Sequence, residues 1–439
     1  MTVFLPEYVR RCVDALERRG FACYAVGGCV RDSLLGLTPQ DYDLCTDALP
    51  GQIRDVFSGS DLVLAGEKHG TVGVITPEGV VEITTFRTEG NYTDNRHPGW
   101  VKFVSTVDAD LSRRDFTVNA MAYSPTRGFA DPFGGQRDLQ NRNLRAVGDA
   151  SARFREDALR ILRGMRFSVR FHLVPEDATF HAMKELAPLL QNIARERVFE
   201  ELCKLLPLVK AEDLLLFAPI LAQAIPELSP AMGFCQHNAH HLYDIFTHTA
   251  HVCAGVPADL PLRWAALLHD IGKVPTFTLD ARGVGHFYGH AKVSAQMADA
   301  VLLSLKAPTA LREEVVFLIA HHMDMITPDR KLLRRALSKW GADWVLKLIT
   351  LQKTDYSGKG VVGDAPPFDT IRAMTEEILR EESCLTLHNL AVDGNDMMAL
   401  GLAGPAIGEC LNRLLEKVLE EELPNEKTAL LEAARRMQL

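Results

Sequence analysis

Tyr-Ala-Val-Gly-Gly-Cys-Val-Arg-Asp-Ser-Leu-Leu-Gly-Leu-Thr-Pro-Gln-Asp-Tyr-Asp, residues 24–43, is the stretch from which the fold is inferred. Its first three residues predict a short buried strand, Gly27 and Gly28 predict a tight turn, and residues 30–37 predict a short helix. A glycine pair between strand and helix lets the backbone approach a ligand closely, with helix N–H groups directed at it. The stretch therefore predicts a phosphate cradle.

The stretch ends with two carboxylates, Asp41 and Asp43, where the next strand is expected to begin. Residues i and i+2 of a strand share a face, so both side chains should point the same way. Carboxylates beside a phosphate cradle suit a divalent cation that grips a nucleoside triphosphate. Residues 71–75 and 80–86 predict a hairpin, and Glu82 in its second strand is a third candidate metal ligand.

Composition limits the class of protein. The chain has 439 residues, 47% hydrophobic and 24% charged, which is typical of a soluble globular protein with two to four domains. No apolar run approaches the ~20 residues of a membrane span, and the N-terminus has no signal-peptide pattern. Nine scattered cysteines without a Cys-x-x-Cys pair favour reduced thiols and a cytoplasmic location.

Charge is unevenly distributed along the chain. The formal net charge is −9, but residues 86–170 contain fifteen Lys and Arg against ten Asp and Glu. A local excess of positive charge in an acidic protein indicates a polyanion held at one site. From residue 369 onward there are fourteen acids against seven bases, so the C-terminal tail is not expected to be a polybasic RNA clamp.

The positive region contains three patterns. Residues 88–110 are poorly patterned and predict a mobile loop of the kind that serves active sites. The next segment predicts a loop leading into a helix, in which Arg114, Asp115 and Asn119 lie close together and can hold a ribose and a phosphate. Asp131 begins a turn-forming cluster, and residues 144–149 predict a last short strand.

Residues 152–167 predict one continuous helix. On it Asp157, Arg160 and Arg163 recur at i, i+3 and i+6, and Glu156 and Arg160 form an i, i+4 pair. An Arg fork and a carboxylate can match the hydrogen-bonding edge of a base. A salt-bridged exposed helix is the structural alternative. Residues 175–226 predict successive helices of a packed scaffold.

A histidine-rich segment follows, in which His-Asp lies within an apolar helix and further histidines and an aspartate lie before and after it. Imidazoles and carboxylates from separate helices can converge on one or two metal ions, which activate water for phosphoester hydrolysis. The residues concerned are His248, His269, Asp270, His290, His321, His322 and Asp355.

Together these motifs resemble the class II tRNA nucleotidyltransferases, the CCA-adding enzyme and poly(A) polymerase family, in the bacterial form with a fused HD domain. The resemblance covers essentially the whole chain. It rests on Gly-Gly-x-Val-Arg-Asp, Asp-x-Asp, Arg-Arg-Asp-Phe-Thr-Val-Asn-Ala and Glu-Asp-x-x-Arg, in the order of that family.

The resemblance implies a role for each matched residue. Asp41 and Asp43 would bind Mg²⁺ with Glu82 as the third carboxylate, and the tRNA 3′-hydroxyl would attack the α-phosphate with release of pyrophosphate. Gly28 and Arg31 would contact the triphosphate. The other implied nucleotide-binding residues are Arg114, Asp115 and Asn119 at the ribose, Glu156, Asp157 and Arg160 in the motif that pairs with CTP or ATP without a template, and Arg163 and Arg166 as further contacts.

The HD resemblance covers residues 236–360. It maps His248, His269, Asp270 and Asp355 onto the metal motif of that superfamily, with a divalent transition metal and an accessory phosphohydrolase activity as implications. His290 and either His321 or His322 would complete a larger site, and the sequence does not decide between the last two.

The predicted architecture is multidomain α+β: a polymerase-beta-like mixed α/β nucleotidyltransferase head at residues 1–145, then all-α parts. These are a neck and body at 146–230 that carries the nucleotide-recognition helix and binds RNA, an HD domain at 231–365 and a tail at 366–439. The favoured function is addition of CCA to the tRNA 3′ end. A-only addition or poly(A) synthesis is the alternative within the family, and an HD phosphohydrolase with a non-catalytic N-terminal domain is the alternative from another class. The sequence does not predict the oligomeric state.

Overall fold

A computed structural model describes residues 3–92, 98–238, 241–360, 365–381 and 384–437. The chain forms two compact units: the first contains Met1–Val209 and Leu216–Pro226, and the second contains Lys210–Leu215 and Glu227–Leu439. The predicted boundaries near residues 145 and 365, inside these units, stay predictions. Within the described residues, no helix is both long enough and apolar enough to span a membrane.

The first unit begins with a mixed α/β region. Its helices and strands, in chain order, are α1 (Glu7–Arg18), β1 (Cys23–Val26), α2 (Gly28–Leu34), β2 (Asp43–Thr46), α3 (Pro50–Val56), β3 (Leu62–Val63), β4 (Thr71–Thr76), β5 (Gly79–Thr85), β6 (Arg87–Tyr92), β7 (Pro98–Phe103), α4 (Val107–Leu111), β8 (Ala122–Ser124), β9 (Gly128–Ala130), α5 (Gly135–Gln140) and β10 (Asn143–Leu144).

Seven of these strands form one sheet in the order β3-β4-β5-β2-β1-β8-β9. The β2–β5 pair is parallel, whereas the neighbouring pairs are antiparallel. Along β5 the side chains of Val81 and Ile83 are fully buried, whereas those of Val80 and Glu82 are exposed, so one face of this strand packs on the core. This mixed sheet confirms the predicted α/β head and places the ends of β2 and β5 side by side.

The prediction of an unstructured loop at residues 88–110 is wrong for the part that the structure describes. Strands β6 and β7 form a separate antiparallel ribbon, with Arg87 opposite Phe103 and Thr88 opposite Lys102, and α4 follows it. The polar composition hid the pairing, because two strands that hydrogen-bond only to each other need no continuous apolar face. Residues 93–97 and the mobility of this segment lie outside the described structure.

The prediction of one helix over residues 152–167 is also wrong. Two helices replace it, α6 (Ala150–Glu156) and α7 (Leu159–Phe171), because Asp157 adopts extended backbone angles of φ −142° and ψ 103°. The rest of the first unit is helical as predicted, with a two-residue β11. Its elements are β11 (Val174–Pro175), α8 (Asp177–Leu186), α9 (Arg195–Leu205), α10 (Ala211–Leu216, which spans the division between the units) and α11 (Ala218–Ala224).

Among its described residues, the second unit is helical apart from one small hairpin, which confirms the predicted all-α remainder. Its elements are α12 (Ile245–Gly255), α13 (Leu260–Leu268), β12 (Thr278–Leu279), β13 (Gly285–His286), α14 (His290–Ser304), α15 (Thr309–His321), α16 (Arg330–Trp340), α17 (Ala342–Gly358), α18 (Phe368–Arg380), α19 (Gly394–Ala399), α20 (Pro405–Leu419) and α21 (Lys427–Met437). Helices α19 to α21 enclose a core of their own around Met397 and Leu414.

Candidate functional site

Adjacent strands bring two of the predicted carboxylates together. The parallel register of β2 and β5 sets Asp43 opposite Glu82, and Asp41 lies two residues before β2, in a segment without strand pairing. The pKa of Asp43 is raised to about 6, because the walls of the cleft desolvate its carboxylate and because Asp41 and Glu82 repel its charge, while Arg114 opposes the shift. The side chains of all three residues are exposed, and carboxylate oxygens are the ligands that a hard divalent cation such as Mg²⁺ prefers.

The glycine turn lies beside these carboxylates. Gly27 has φ +78°, a backbone conformation that favours glycine, and its N–H donates to the Met121 carbonyl over 3.1 Å. A Cβ at this position would lie 2.7 Å from Arg114 Nη1. The glycine is therefore required twice, for the left-handed turn and for the passage of the Arg114 guanidinium close to the backbone.

A buried polar network connects Arg163, Asp115, Asn119 and Arg31. Arg163 donates to Asp115 from Nε over 2.8 Å and from Nη2 over 2.7 Å, and Asn119 Nδ2 donates to Asp115 over 3.1 Å. Burial by itself raises the pKa of Asp115, but Arg163 and Asn119 outweigh it and lower that pKa to about 2. Arg31 donates to Asn119 Oδ1 over 2.5 Å and to Asp32 over 2.8 Å. These bonds fix the orientation of every side chain in the network.

The break between α6 and α7 separates the partners of Asp157 and Arg160. Asp157 accepts from the Leu159 N–H over 3.0 Å and from Arg197 Nη2 over 2.9 Å. Arg160 donates to Glu156 Oε2 over 2.7 Å and to two backbone carbonyls. These bonds use three of the five N–H groups of Arg160, so two donors remain for a ligand.

These groups line one cleft of about 500 Å³ in the first unit. Arg160, Arg163, Phe167 and Arg170 recur along one face of α7, while Leu162 and Met165 on the opposite face are buried. The full lining is Gly27, Gly28, Arg31, Asp32, Gln40, Asp41, Asp43, Arg113, Arg114, Asp115, Asn119, Asp157, Leu159, Arg160, Arg163, Phe167, Arg170 and Arg197. Seven arginines against five aspartates favour a polyanionic ligand.

The predicted histidine cluster converges in the second unit. His248 Nε2 lies 2.9 Å from Asp355 Oδ1 and 3.3 Å from His269 Nε2, which lies 3.2 Å from Asp270 Oδ2. Burial lowers the pKa of His269, but Asp270 and Asp355 outweigh it and raise that pKa to about 10. Burial likewise raises the pKa of Asp270 and Asp355, and the cationic groups around them outweigh it, so both pKa values are lowered. The carboxylates thus stabilise positive charge at this point.

A second pair of imidazoles faces the other oxygen of Asp270. His290 Nε2 lies 3.5 Å from Asp270 Oδ1 and 3.3 Å from His322 Nε2. The Nδ1–H groups of His290 and His322 donate to the carbonyls of Phe287 and Ile319, so both Nε2 atoms present bare lone pairs to each other. Burial lowers the pKa of both rings, that of His322 to about 4, so a proton does not bridge them. Two groups of ligands therefore share Asp270 and fit two cations.

Comparisons with known proteins match three family models to separate ranges of this chain. The poly A polymerase head domain matches residues 23–145, the probable RNA and SrmB-binding site of polymerase A matches residues 172–232, and the HD domain matches residues 240–355. A CCA-adding enzyme of Levilactobacillus brevis is 34% identical over 444 residues, which cover 97% of each chain. This chain belongs to the CCA-adding enzyme family. Another member, from Streptococcus mutans, is 32% identical over 437 residues, with 98% of each chain covered.

Solved structures of CCA-adding enzymes share the fold. The Bacillus stearothermophilus CCA-adding enzyme in complex with CTP superposes with a TM-score of 0.70 at 28% identity, over 98% of this chain and 96% of that one. The Thermotoga maritima CCA-adding enzyme complexed with tRNA_CCA has a TM-score of 0.62 at 19% identity and covers 100% of this chain and 97% of that one. The predicted family and fold class are thereby confirmed, and the chain is a tRNA nucleotidyltransferase.

Of the thirteen residues predicted for the nucleotidyltransferase site, ten line the cleft of this CCA-adding family member and three do not. Glu82 lies outside the cleft lining but opposite Asp43, and Glu156 supports Arg160 from behind. Arg166 is buried and donates to Glu201 Oε2 over 2.7 Å. The structure thus places Arg166 away from the expected nucleotide contact. The HD pocket, the cavity of the second unit that Asp270, His290, His322 and Asp355 line, contains His322. His321 is not among its lining residues, and its Nδ1 lies 2.5 Å from Asp324.

Several cleft residues of this CCA-adding family member were not predicted. Arg170 lies seven residues after Arg163 on the same face of α7, so helical periodicity could have found it. Arg197 comes from α9 and reaches Asp157 across 40 residues of sequence, and no local pattern signals such a contact. The sequence carries Arg113 next to Arg114, but only the fold shows that both line the cleft.

Proposed function

We propose that this chain adds CCA to the 3′ end of tRNA without a nucleic-acid template, using CTP and ATP with Mg²⁺ and releasing pyrophosphate. One observation carries the proposal: the carboxylates Asp41 and Asp43 and the base-matching pair Asp157 and Arg160 line the same cleft of about 500 Å³. The names of the relatives, CCA-adding enzymes at 30–34% identity over nearly the full chain, support it, as does the CTP complex of the Bacillus stearothermophilus enzyme.

Asp157 and Arg160 carry the choice of base in this proposal. Cytosine and adenine both present an exocyclic amino group beside a ring nitrogen acceptor, whereas uracil and guanine present a carbonyl beside a ring N–H. Asp157 accepts from the amino group, and the remaining N–H groups of Arg160 donate to the ring nitrogen. Arg197 and Glu156 hold these two side chains in place. The same pair therefore accepts CTP and ATP and rejects UTP and GTP.

Asp41 and Asp43, with Glu82 beside them, would hold Mg²⁺. Bound Mg²⁺ supplies activation of the attacking hydroxyl and neutralises charge on the triphosphate. Gly28, Arg31 and the arginines of α7 would hold the triphosphate, and Arg114, Asp115 and Asn119 would hold the ribose. The arginines orient the α-phosphate for in-line attack and stabilise the leaving pyrophosphate.

The experiment is extension of a tRNA transcript that lacks CCA, with CTP alone, ATP alone, or both. We expect two C residues with CTP and a final A when ATP is present, and loss of both in Asp41→Ala/Asp43→Ala. The matched control is Asp55→Ala/Asp61→Ala, which removes two exposed carboxylates of the same sheet region and should retain activity. Addition of A alone to a transcript that ends in CC would indicate an A-adding enzyme, and no addition would overturn the proposal.

The proposed substrate, tRNA, and the nine free thiols of the chain both favour a cytoplasmic location.

A second function is favoured by the bare Nε2 atoms of His290 and His322, 3.3 Å apart. We propose that the HD pocket holds two divalent cations that share Asp270 and hydrolyses phosphoesters. Bound cations supply an activated water and polarise the phosphoryl group. Lys273 Nζ forms an ion pair with Asp270 Oδ2 over 2.8 Å and donates to Gln236 Oε1 over 2.9 Å, and so stabilises the shared carboxylate.

Metal content tests the second proposal. Protein stripped with a chelator and reloaded with Mn²⁺ should bind two more equivalents at this pocket than the Asp270→Ala variant. His322→Gln should lose about one equivalent, whereas the neighbouring His321→Gln should lose none, because His321 pairs with Asp324. Equal losses in the two histidine variants would contradict the assignment of ligands. Hydrolysis of glycerol 2-phosphate by the reloaded protein, absent in Asp270→Ala, would demonstrate the activity.

A further inference from the structure

The HD pocket has an aromatic wall that metal binding does not explain. Tyr288 lines the pocket, although 76% of its surface is exposed to solvent. His286, two residues earlier, lines the same pocket, and the two rings stack with an interplanar angle of 8° and centroids 5.2 Å apart. An exposed aromatic face beside a phosphoryl site is the arrangement that stacks a nucleobase.

The platform is held by its own hydrogen bonds. The Tyr288 hydroxyl lies 3.4 Å from His286 Nδ1, and His286 Nε2 lies 3.3 Å from Asp280 Oδ2. The other oxygen of Asp280 accepts from the backbone N–H groups of Arg282 and Val284 over 2.8 and 2.9 Å, which closes the β12–β13 hairpin. These contacts restrain the His286 ring, on which the Tyr288 ring stacks.

The platform is tied to the proposed metal ligands by one short segment. Phe287, between the two rings, accepts the Nδ1–H of His290 through its carbonyl over 2.8 Å. The stacked rings and the proposed metal ligand His290 thus lie within five residues of chain and line the same pocket. The pocket of about 360 Å³ also contains Lys359 and His241, and this volume accommodates a nucleoside monophosphate rather than a phosphate group alone.

We propose that the HD pocket selects nucleotides, with the base stacked on Tyr288 and the phosphoester directed at the cluster of Asp270, His290 and His322. Tyr288 is the specificity-determining residue, and Asp280 and His286 position it. This inference rests on the phosphohydrolase activity proposed above, and its new content is the residue that binds the base. Tyr288 distinguishes a nucleoside phosphoester, either free or at the end of an RNA chain, from a phosphoester without a base.

The test compares a phosphoester with a base and one without. In an Asp41→Ala/Asp43→Ala background, which suppresses nucleotide use by the head, adenosine 3′-monophosphate and glycerol 2-phosphate are hydrolysed by the Mn²⁺-loaded full chain. We expect Tyr288→Ala to lower kcat/KM for the nucleotide about tenfold to a hundredfold, mainly through KM, because base stacking contributes about 1–3 kcal/mol, and to leave glycerol 2-phosphate unchanged. Tyr288→Phe should retain nucleotide hydrolysis because it keeps the ring.

The control is Leu279→Ala, which removes another exposed side chain of the same hairpin and should change neither substrate. Equal loss on both substrates, or no loss on the nucleotide, would overturn the platform. A short RNA with a 3′-phosphate distinguishes an RNA end from a free nucleotide as the preferred source of the base.

If the wild-type chain hydrolyses neither substrate, the phosphohydrolase proposal fails, and calorimetry still decides the platform. Binding of adenosine 3′-monophosphate at least tenfold weaker in Tyr288→Ala than in Tyr288→Phe would support it. Equal affinities would refute it.

Discussion

The Arg166–Glu201 pair provides the sharpest test of where the nucleotide site ends. The side chains of Arg166 and Glu201 are 10% and 6% exposed, and Nε lies 2.7 Å from Oε2. Glu201→Met would leave the guanidinium buried without its carboxylate. Loss of one partner of a buried pair destabilises a protein by ~3–5 kcal/mol, and for a unit of this size each kcal/mol lowers the melting temperature by roughly 2–4 °C. A fall of about 6–20 °C follows.

The double variant Arg166→Met/Glu201→Met separates stability from ligand binding. Replacing both charges with apolar groups of similar size removes the unpaired ion, so most of the lost stability should return. Neither residue is expected to contact the nucleotide. KM for CTP in the double variant should therefore stay within about threefold of the wild-type value, as for a substitution away from the binding site.

Differential scanning calorimetry and steady-state CTP incorporation are the assays. Glu200→Met, at the exposed neighbouring position, is the control and should change neither quantity. A well-folded double variant whose KM for CTP rises tenfold or more would refute this reasoning, and would return Arg166 to the nucleotide-binding set that the sequence predicts.

Three further predictions concern the cleft itself. Asp157→Ala removes the acceptor that the base amino group needs, so kcat/KM for CTP and for ATP should fall about tenfold to a hundredfold. Incorporation assays check this, and an unchanged ratio of CTP to UTP use would contradict it. Because the pKa of Asp43 is raised to about 6, protons compete with Mg²⁺ for this carboxylate below that pH. The Mg²⁺ concentration for half-maximal activity should therefore rise as the pH falls from 7 to 5. A Mg²⁺ requirement that does not change with pH would argue against Asp43 as a ligand. Gly27→Ala should lower activity at least tenfold because its Cβ displaces Arg114. The control is Gly20→Ala, which has a similar φ of +85° and open space around it and should retain activity. Equal losses in the two variants would assign the effect to backbone strain alone.

Much of the head could be predicted because its signals are local. The strand–glycine–helix order of residues 24–34 and the two-residue spacing of Asp41 and Asp43 follow from backbone periodicity and turn chemistry. The pairing of Asp43 with Glu82 needs a parallel register between strands almost 40 residues apart, which no local pattern sets. In the HD pocket the ligand types could be read from the sequence, but the choice of His322 over His321 depends on which ring faces the interior.

The burial of Arg166 shows the limit of helical periodicity. Arg160, Arg163 and Arg166 recur at intervals of three, so the sequence groups them on one broad face. A helix turns 100° per residue, so the two intervals of three residues between Arg160 and Arg166 leave these side chains about 120° apart around the helix axis. Arg166 accordingly meets Glu201 of α9, while Arg170, one turn later, lines the cleft.

The break at Asp157 has a functional consequence that a continuous helix would not provide. In one unbroken helix Asp157 and Arg160, three residues apart, would be neighbours and would pair with each other. The extended backbone at Asp157 instead gives its carboxylate the Leu159 N–H and Arg197, while Arg160 takes Glu156. An aspartate before an apolar run is also a helix N-terminal signal, but the Glu156–Arg160 spacing favours continuity more strongly. Because each member of the base-matching pair has its own support, both keep unused hydrogen-bonding capacity for a base that arrives between them.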